Sequence, residues 1–266
     1  MEKILYAFTL TLMAGLATGI GSLIAFFSKK TNTKFLSFSL GFSGGVMIYV
    51  SFVEIFFKAK ESLVIYYGEA KGTWITVISF FAGMLIIGII DKLVPSYENP
   101  HEPKEVEETQ RKHIKKRELE RMGIFSAIAI GIHNFPEGIA TFISAIDNPT
   151  LGLSIATAIA IHNIPEGIAV SVPIYFSTGS KRKAFIYSFL SGISEPIGAL
   201  VGYIILLPFM NEMIFGVVFA SVAGIMVFIS LDELLPTAEK YGEHHLSIYG
   251  VISGMGVMAI SLLLFV

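Results

Sequence analysis

An all-α integral membrane protein of eight transmembrane helices is the fold class that the sequence predicts, and three observations predict it. Of the 266 residues, 53% are hydrophobic and 15% charged, whereas about a quarter are charged in an ordinary soluble domain. The mean hydropathy is +0.70. Apolar runs of about 20 residues, the length that crosses a bilayer as a helix, recur from end to end. Little chain is left for a soluble domain, so residues 1–266 are read as one polytopic transmembrane domain with the lipid bilayer as its solvent.

Runs bounded by charge, Gly or Pro place the spans at about 4–27, 34–57, 73–93, 122–146, 150–176, 183–208, 213–235 and 246–266. The first, from Met1 to Phe27, is longer than a signal-peptide core and has Lys3 as its one preceding positive charge, so it reads as a retained helix. Asp91 and Lys92 mark the end of the third. Between the third and fourth lies a stretch with early prolines and dense mixed charge, read as a cytoplasmic linker over 95–121 with helical character in its second half. Its His101 and His113 are isolated and read as solvated loop histidines. Asp147-Asn148-Pro149 is a tight turn that makes the fourth and fifth helices antiparallel neighbours.

Positive charge then assigns the sides. Lys29, Lys30 and Lys34, the run from Lys92 to Arg121, Lys181 to Lys183, and Lys240 fall on one face, and Lys3, Lys58, Lys60 and Lys71 on the other. The positive-inside rule puts the first face in the cytoplasm of a plasma-membrane protein and both termini outside. A net charge of −2 gives no reason to expect a nucleic-acid partner. With no cysteine the chain has neither disulfide nor thiolate, so a metal site must use His, Asp, Glu, Asn or backbone oxygen. That donor set favours zinc, manganese, iron(II) or cobalt over copper(I). No Walker-type glycine loop occurs, so direct ATP drive is not indicated.

Ionisable side chains inside a bilayer cost several kcal/mol unless they face protein or water, which makes each a functional candidate. In GIHNFPEGIA, His133 and Glu137 are four apart and share one helix face, with Asn134 beside them. Pro136 frees the carbonyl of Ile132, which predicts a kink, and Gly138 allows another backbone to approach. The next span repeats the device as AIHNIPEGIA, with His162, Asn163, Pro165, Glu166 and Gly167 each 29 residues after their counterparts. Two antiparallel copies make a local pseudo-two-fold site. Glu195, in SGISEPIG of the sixth span, again pairs a carboxylate with a proline and flanking glycines. Two imidazoles and three carboxylates in one bundle core can share a divalent cation, whose charge offsets their desolvation. The bland alternative, polar glue between helices, is weighed down by the duplication of His-x-x-x-Glu with matched Asn and Pro.

Glu54 is expected near the outer end of the second span and Asp232-Glu233 near the inner end of the seventh, as vestibule ligands or interfacial carboxylates. His244 and His245 follow in the same inner loop, as an exit or inhibitory site or as plain surface histidines. Small-residue faces such as Gly41, Gly44 and Gly45 read as close packing and allow a homodimer without requiring one.

HNFPEGIA and HNIPEGIA on consecutive helices, followed by SGISEPIG, resemble the ZIP (Zrt/Irt-like) divalent metal transporters, in particular their bacterial branch. GFSGGVMIYVSFVE and SLDELLP are also similar, so the resemblance covers essentially the whole chain. It implies a ZIP-like bundle with a metal site between helices four, five and six, and a moving group of helices one, four, five and six. His133, Glu137, His162 and Glu166 would form one centre. Asn134, Asn163 and Glu195, with Glu137 and Glu166 bridging, would form a second, and the neutral Asn163 stands where relatives that hold two metals often have an acid. The implied function is secondary transport of zinc, and also iron(II), manganese, cobalt or cadmium, into the cytoplasm by alternating access, with metal as cargo and no cofactor. A metal-selective channel could share these ligands. An intramembrane zinc hydrolase is the rival from another class, and the chain lacks His-Glu-x-x-His and a distinct general base; no enzymatic activity is expected.

Overall fold

The computed structural model describes residues 2–27, 33–93, 116–241 and 244–264, and among them the regular structure is helical throughout. Eight long helical stretches are present among the described residues. They are α1 (Glu2–Phe27), α2 (33–67), α3 (Glu69–Leu93), α4 (Lys116–Asp147), α5 (Pro149–Thr178), α6 (181–206), α7 (212–241) and α8 (His244–Leu264). Six of these, α1, α2, α3, α6, α7 and α8, are long and apolar enough to cross a membrane by length and composition. The other two, α4 and α5, carry the repeated His, Asn, Pro and Glu motif. The chain is thus a multi-pass, all-α membrane bundle. Large apolar side chains line its outside, as in the α3 stripe of Trp74, Ile78, Phe81, Leu85 and Ile89.

Several boundaries differ from expectation. The second helix does not stop near residue 57 but continues to Tyr67 through a π-helical turn at Ser51–Ile55, so Glu54 lies within it rather than at its end. What carries it on is burial of Ala59 and Leu63 beneath Gly216 of α7, with Lys58 and Glu61 paired at 3.5 Å on the open side. It ends at Gly68, whose φ of +82° suits a residue without a Cβ. The seventh helix likewise passes through a π-helical turn at Ser230–Leu234, carrying Asp232 and Glu233, before Leu235–Tyr241. The linker of 95–121 falls outside the described residues up to 115, including His101 and His113, and α4 begins at Lys116. Asn148 caps α5 by accepting from the N–H groups of Thr150 (3.0 Å) and Leu151 (3.2 Å), with Pro149 in the first turn, so the expected α4–α5 hairpin forms. Pro136 and Pro165 stay inside uninterrupted helices, and the π-helical turns fall in α2, α6 and α7 instead.

Two groups of four helices result. α1, α4, α5 and α6 pack on one another; α2, α3, α7 and α8 form the second group; the groups meet chiefly along α2 and α5. Within each group, glycines let backbones touch, and their register exposes a repeat that spans the fold. In the second group Gly45 rests on the Val251 carbonyl and Gly254 on that of Phe42, while Gly224 rests on Phe80 and Gly83 on Ser221. Gly45 and Gly224 are 179 positions apart, as are Phe42 and Ser221, so the α2–α8 contact maps onto the α7–α3 contact. In the first group Gly21 rests on Ile164 and Gly167 on Thr18, while Gly198 rests on Phe135 and Gly138 on Glu195. Gly21 and Gly198 are 177 positions apart, as are Thr18 and Glu195, so α1–α5 maps onto α6–α4. Helices α1 to α3 therefore correspond to α6 to α8, and α4 to α5, about a pseudo-two-fold perpendicular to the helices.

Candidate metal centre

The motif helices place their polar residues at one level in the first group. Each Glu of the motif is followed by a glycine, and a Cβ at Gly138 or Gly167 would strike the carbonyl of Glu195 or Thr18. These glycines draw α6 against α4 and α1 against α5 beside Glu137 and Glu166, and so bring Glu195 to the motif. Pro136 and Pro165 withdraw the N–H groups that would bond the carbonyls of Ile132 and Ile161, leaving backbone acceptors near the same level.

Six of the seven residues picked out by sequence, Asn134, Glu137, His162, Asn163, Glu166 and Glu195, are wholly buried. The seventh, His133, lies in α4, and its side chain is outside the described residues. His162 Nε2 stands 3.5 Å from Glu137 Oε2 and 4.0 Å from Glu166 Oε1. Two ligands of one tetrahedral zinc, each about 2.0–2.1 Å from the ion, sit about 3.4 Å apart. The Glu137–His162 pair has that spacing and the Glu166–His162 pair is wider. Among the described residues no three His, Asp or Glu side chains form a completed coordination group.

The two asparagines are turned the same way. Asn163 Nδ2 donates to the Ala14 carbonyl (2.9 Å) and to Glu195 Oε1, and Asn134 Nδ2 donates to the Ser191 carbonyl (3.4 Å). Because a carbonyl partner demands the amide nitrogen, each asparagine keeps its Oδ1 for something else. Neither Oδ1 accepts a hydrogen bond among the described residues, nor does either oxygen of Glu137 or the second oxygen of Glu195. No Lys or Arg side chain is buried among the described residues. Among the described residues the interior is thus a set of oxygen acceptors around His162 in which no Lys or Arg is buried beside the three carboxylates, an arrangement that suits a divalent cation.

The remaining sequence candidates lie elsewhere. Glu54 is half-buried in the π-helical turn of α2, and Glu233 is buried in that of α7 with Asp232 beside it. His244 is exposed and bonded through Nδ1 to Glu239 Oε1 at 2.7 Å, with the His245 ring edge-on to it. Sequence reasoning missed α1, which enters through the Ala14 backbone, and Ser43, whose Oγ donates to the His162 carbonyl at 3.5 Å from the other helix group. A backbone acceptor has no side-chain signature. The register of Gly15, Gly21, Gly192 and Gly198 was the one signal that could have pointed to α1.

Comparison with known proteins identifies the family. The profile described as ZIP Zinc transporter matches residues 91–262. Proteins named zinc transporter ZupT are similar over nearly the whole chain. That of Oceanobacillus iheyensis is 65% identical over 266 residues, covering 99% of this chain and 99% of its own, and that of Nitratidesulfovibrio vulgaris is 65% identical over 272, covering 99% and 98%. The Clostridium perfringens protein is 62% identical over 279, covering 100% and 98%. A profile match to more than half the chain, with full-length relatives at such identity, establishes that the chain belongs to the ZIP zinc transporter family.

Proposed function

We propose that the chain is a secondary transporter, and not an enzyme, that carries zinc and other divalent transition metals through the bilayer, with the Glu137–His162–Glu166 cluster as its cargo site. The observation that carries the reading is the wholly buried set of three carboxylates and two amide oxygens that accept no hydrogen bond, without a buried Lys or Arg, among the described residues. Such a set stays ionised at small cost only while it holds a cation. Cargo is taken as zinc first, with iron(II), manganese, cobalt and cadmium as candidates, because imidazole with carboxylate suits all of them.

In this reading the metal enters from outside, exchanges most of its water for His162, Glu137 and Glu166 with His133 as a further ligand, and leaves to the cytoplasm when the site opens inward. Asn134, Asn163 and Glu195 form the neighbouring oxygen-rich centre. There the Asn163 amide is bonded to Glu195, so that centre carries one carboxylate of its own and holds a second ion less tightly. Alternating access is supported by the division into two helix groups of different interior, with the site wholly inside one of them. Positive charges at Lys92 and Lys181 to Lys183 support a plasma-membrane protein with that face, and the 95–121 linker, in the cytoplasm and both termini outside. Metal and proton compete for the same carboxylate oxygens, so uptake falls as the outside is acidified.

Zinc uptake into proteoliposomes, comparing wild type with Glu137→Ala and His162→Ala, tests the reading. Near-complete loss in both is expected, and normal uptake in both would overturn the site. Zinc preloaded inside should accelerate entry of labelled zinc; a channel would show no such counterflow.

A further inference from the structure

The two-fold relation between the halves extends to single hydrogen bonds at the site. Asn134 reaches the carbonyl of Ser191 and Asn163 that of Ala14, and 14 and 191 differ by the same 177 positions that separate Gly15 from Gly192. Gly15 and Gly192 rest on each other's carbonyl oxygens, which puts the pseudo-axis at their crossing. Across it Glu137 exchanges with Glu166, His133 with His162, and Asn134 with Asn163. Glu195 is the member of the set whose mate differs in chemistry. That mate is Thr18.

The backbones at the two positions are held alike. The Glu195 carbonyl lies on Gly138, the residue after Glu137, and the Thr18 carbonyl lies on Gly167, the residue after Glu166. Two side chains leaving matched backbones start from matched places beside the two motif helices. Thr18 is wholly buried, and among the described residues its hydroxyl has no hydrogen-bond partner. Buried hydroxyls are ordinarily bonded, and a helical threonine usually turns to the carbonyl four residues back. Thr9, Thr11, Thr76, Thr157 and Thr178 do so here, at 2.7–2.9 Å, whereas the hydroxyls of Thr18 and of Thr141, in α4 beside the motif, have no partner among the described residues. For Thr18 that carbonyl is the one on Ala14, which accepts from Asn163 instead.

We propose that Thr18 is the α1 member of the cargo site, offering a neutral oxygen where its two-fold mate Glu195 offers a carboxylate. It is thereby a specificity-determining residue. A hydroxyl adds a hard donor without adding charge, which suits oxygen-preferring ions such as manganese(II) more than the softer cadmium(II). The inference rests on the cargo-site reading above.

The test uses the full chain in proteoliposomes, with Thr18→Val and Thr18→Ala removing the hydroxyl, Thr18→Ser keeping it, and Glu137→Ala as a control. Loss of one neutral donor is expected to raise the manganese(II) KM about tenfold in Thr18→Val and Thr18→Ala, and the cadmium(II) KM by about twofold or less. Thr18→Ser should stay within about twofold of wild type for both ions. The proposal is overturned if the hydroxyl-free variants keep the wild-type manganese KM, or if serine fails to rescue and both ions suffer equally, which is the signature of packing. Should Thr18→Val not yield monodisperse protein, Thr18→Ala against Thr18→Ser decides in the same way. Normal transport by Glu137→Ala would discard the cargo site itself; loss there with unaffected Thr18 variants discards Thr18 alone.

Discussion

Along α5 the buried side chains include His162, Asn163, Glu166, Ser154 and Ser171 among apolar ones such as Ile155 and Ile159, whereas along α7 those between Glu212 and Ile229 are all apolar, among them Phe219, Val222, Ala223, Met226 and Val227. Both interiors stand on the same scaffold, since glycines meet carbonyls in matching register in each group. Close backbone approach is therefore the common building device, as expected where lipid provides no hydrophobic drive for helix association. Chemistry has been added to one group and left out of the other. The polar group holds three wholly buried carboxylates, Glu137, Glu166 and Glu195; among the described residues the other group buries one, Glu233, in the π-helical turn at Ser230–Leu234.

The sharpest way to break this contrast is to truncate one buried side chain in each group. Glu137→Ala and His162→Ala should lower zinc uptake more than about 100-fold while the protein keeps or gains heat stability, because removing a poorly compensated buried charge relieves desolvation. Met226→Ala in the other group should do the reverse. It leaves a cavity costing about 2–4 kcal/mol of stability and keeps the zinc KM of the molecules that remain folded. Uptake kinetics and detergent melting curves on the same preparations check both. A destabilised Glu137→Ala that still transports zinc would show that the polar interior is structural glue.

The glycine contacts offer a second comparison of intermediate size. A Cβ at Gly138 strikes the Glu195 carbonyl and one at Gly224 strikes that of Phe80. Both alanine variants should lose about 1–3 kcal/mol, the usual cost of overpacking. Gly138→Ala also pushes Glu195 away from Asn163 and Glu137, so its zinc KM should rise about tenfold, while Gly224→Ala leaves KM near wild type. Equal KM effects in the two would mean that backbone approach in either group reaches the site in the same way.

Legibility in the sequence followed the same divide. The candidate site stood out in the sequence because its residues are improbable in lipid and recur 29 positions apart, as His133 and Glu137 do in His162 and Glu166. The Asn148-Pro149 hairpin was readable from local turn chemistry. The length of α2 was not: Lys58, Lys60 and Glu61 look like a helix end, and only the tertiary burial of Ala59 and Leu63 shows the helix continuing. The wider repeat was also hidden. Gly45-Val46-Met47 and Ser51 to Glu54 match Gly224-Ile225-Met226 and Ser230 to Glu233 in kind, but apolar identities recur by chance in any membrane helix, and glycine spacing gains meaning only when a carbonyl is seen opposite it.

The smallest expected effect lies where the two groups meet. Ser43 Oγ donates to the His162 carbonyl at 3.5 Å, a length at the weak limit of hydrogen bonding, across the boundary that alternating access requires to shift. A bond of that length contributes about 0.5 kcal/mol, enough to change a rate by about twofold and too little to set the fold. Ser43→Ala should therefore leave heat stability and zinc KM unchanged within error and alter the maximal uptake rate by about twofold. A faster rate would mean that the bond holds the arrangement seen here against exchange; a slower one, that the bond persists into the rate-limiting barrier. A change in KM instead would mean that the bond positions His162 for the cargo rather than holding the boundary.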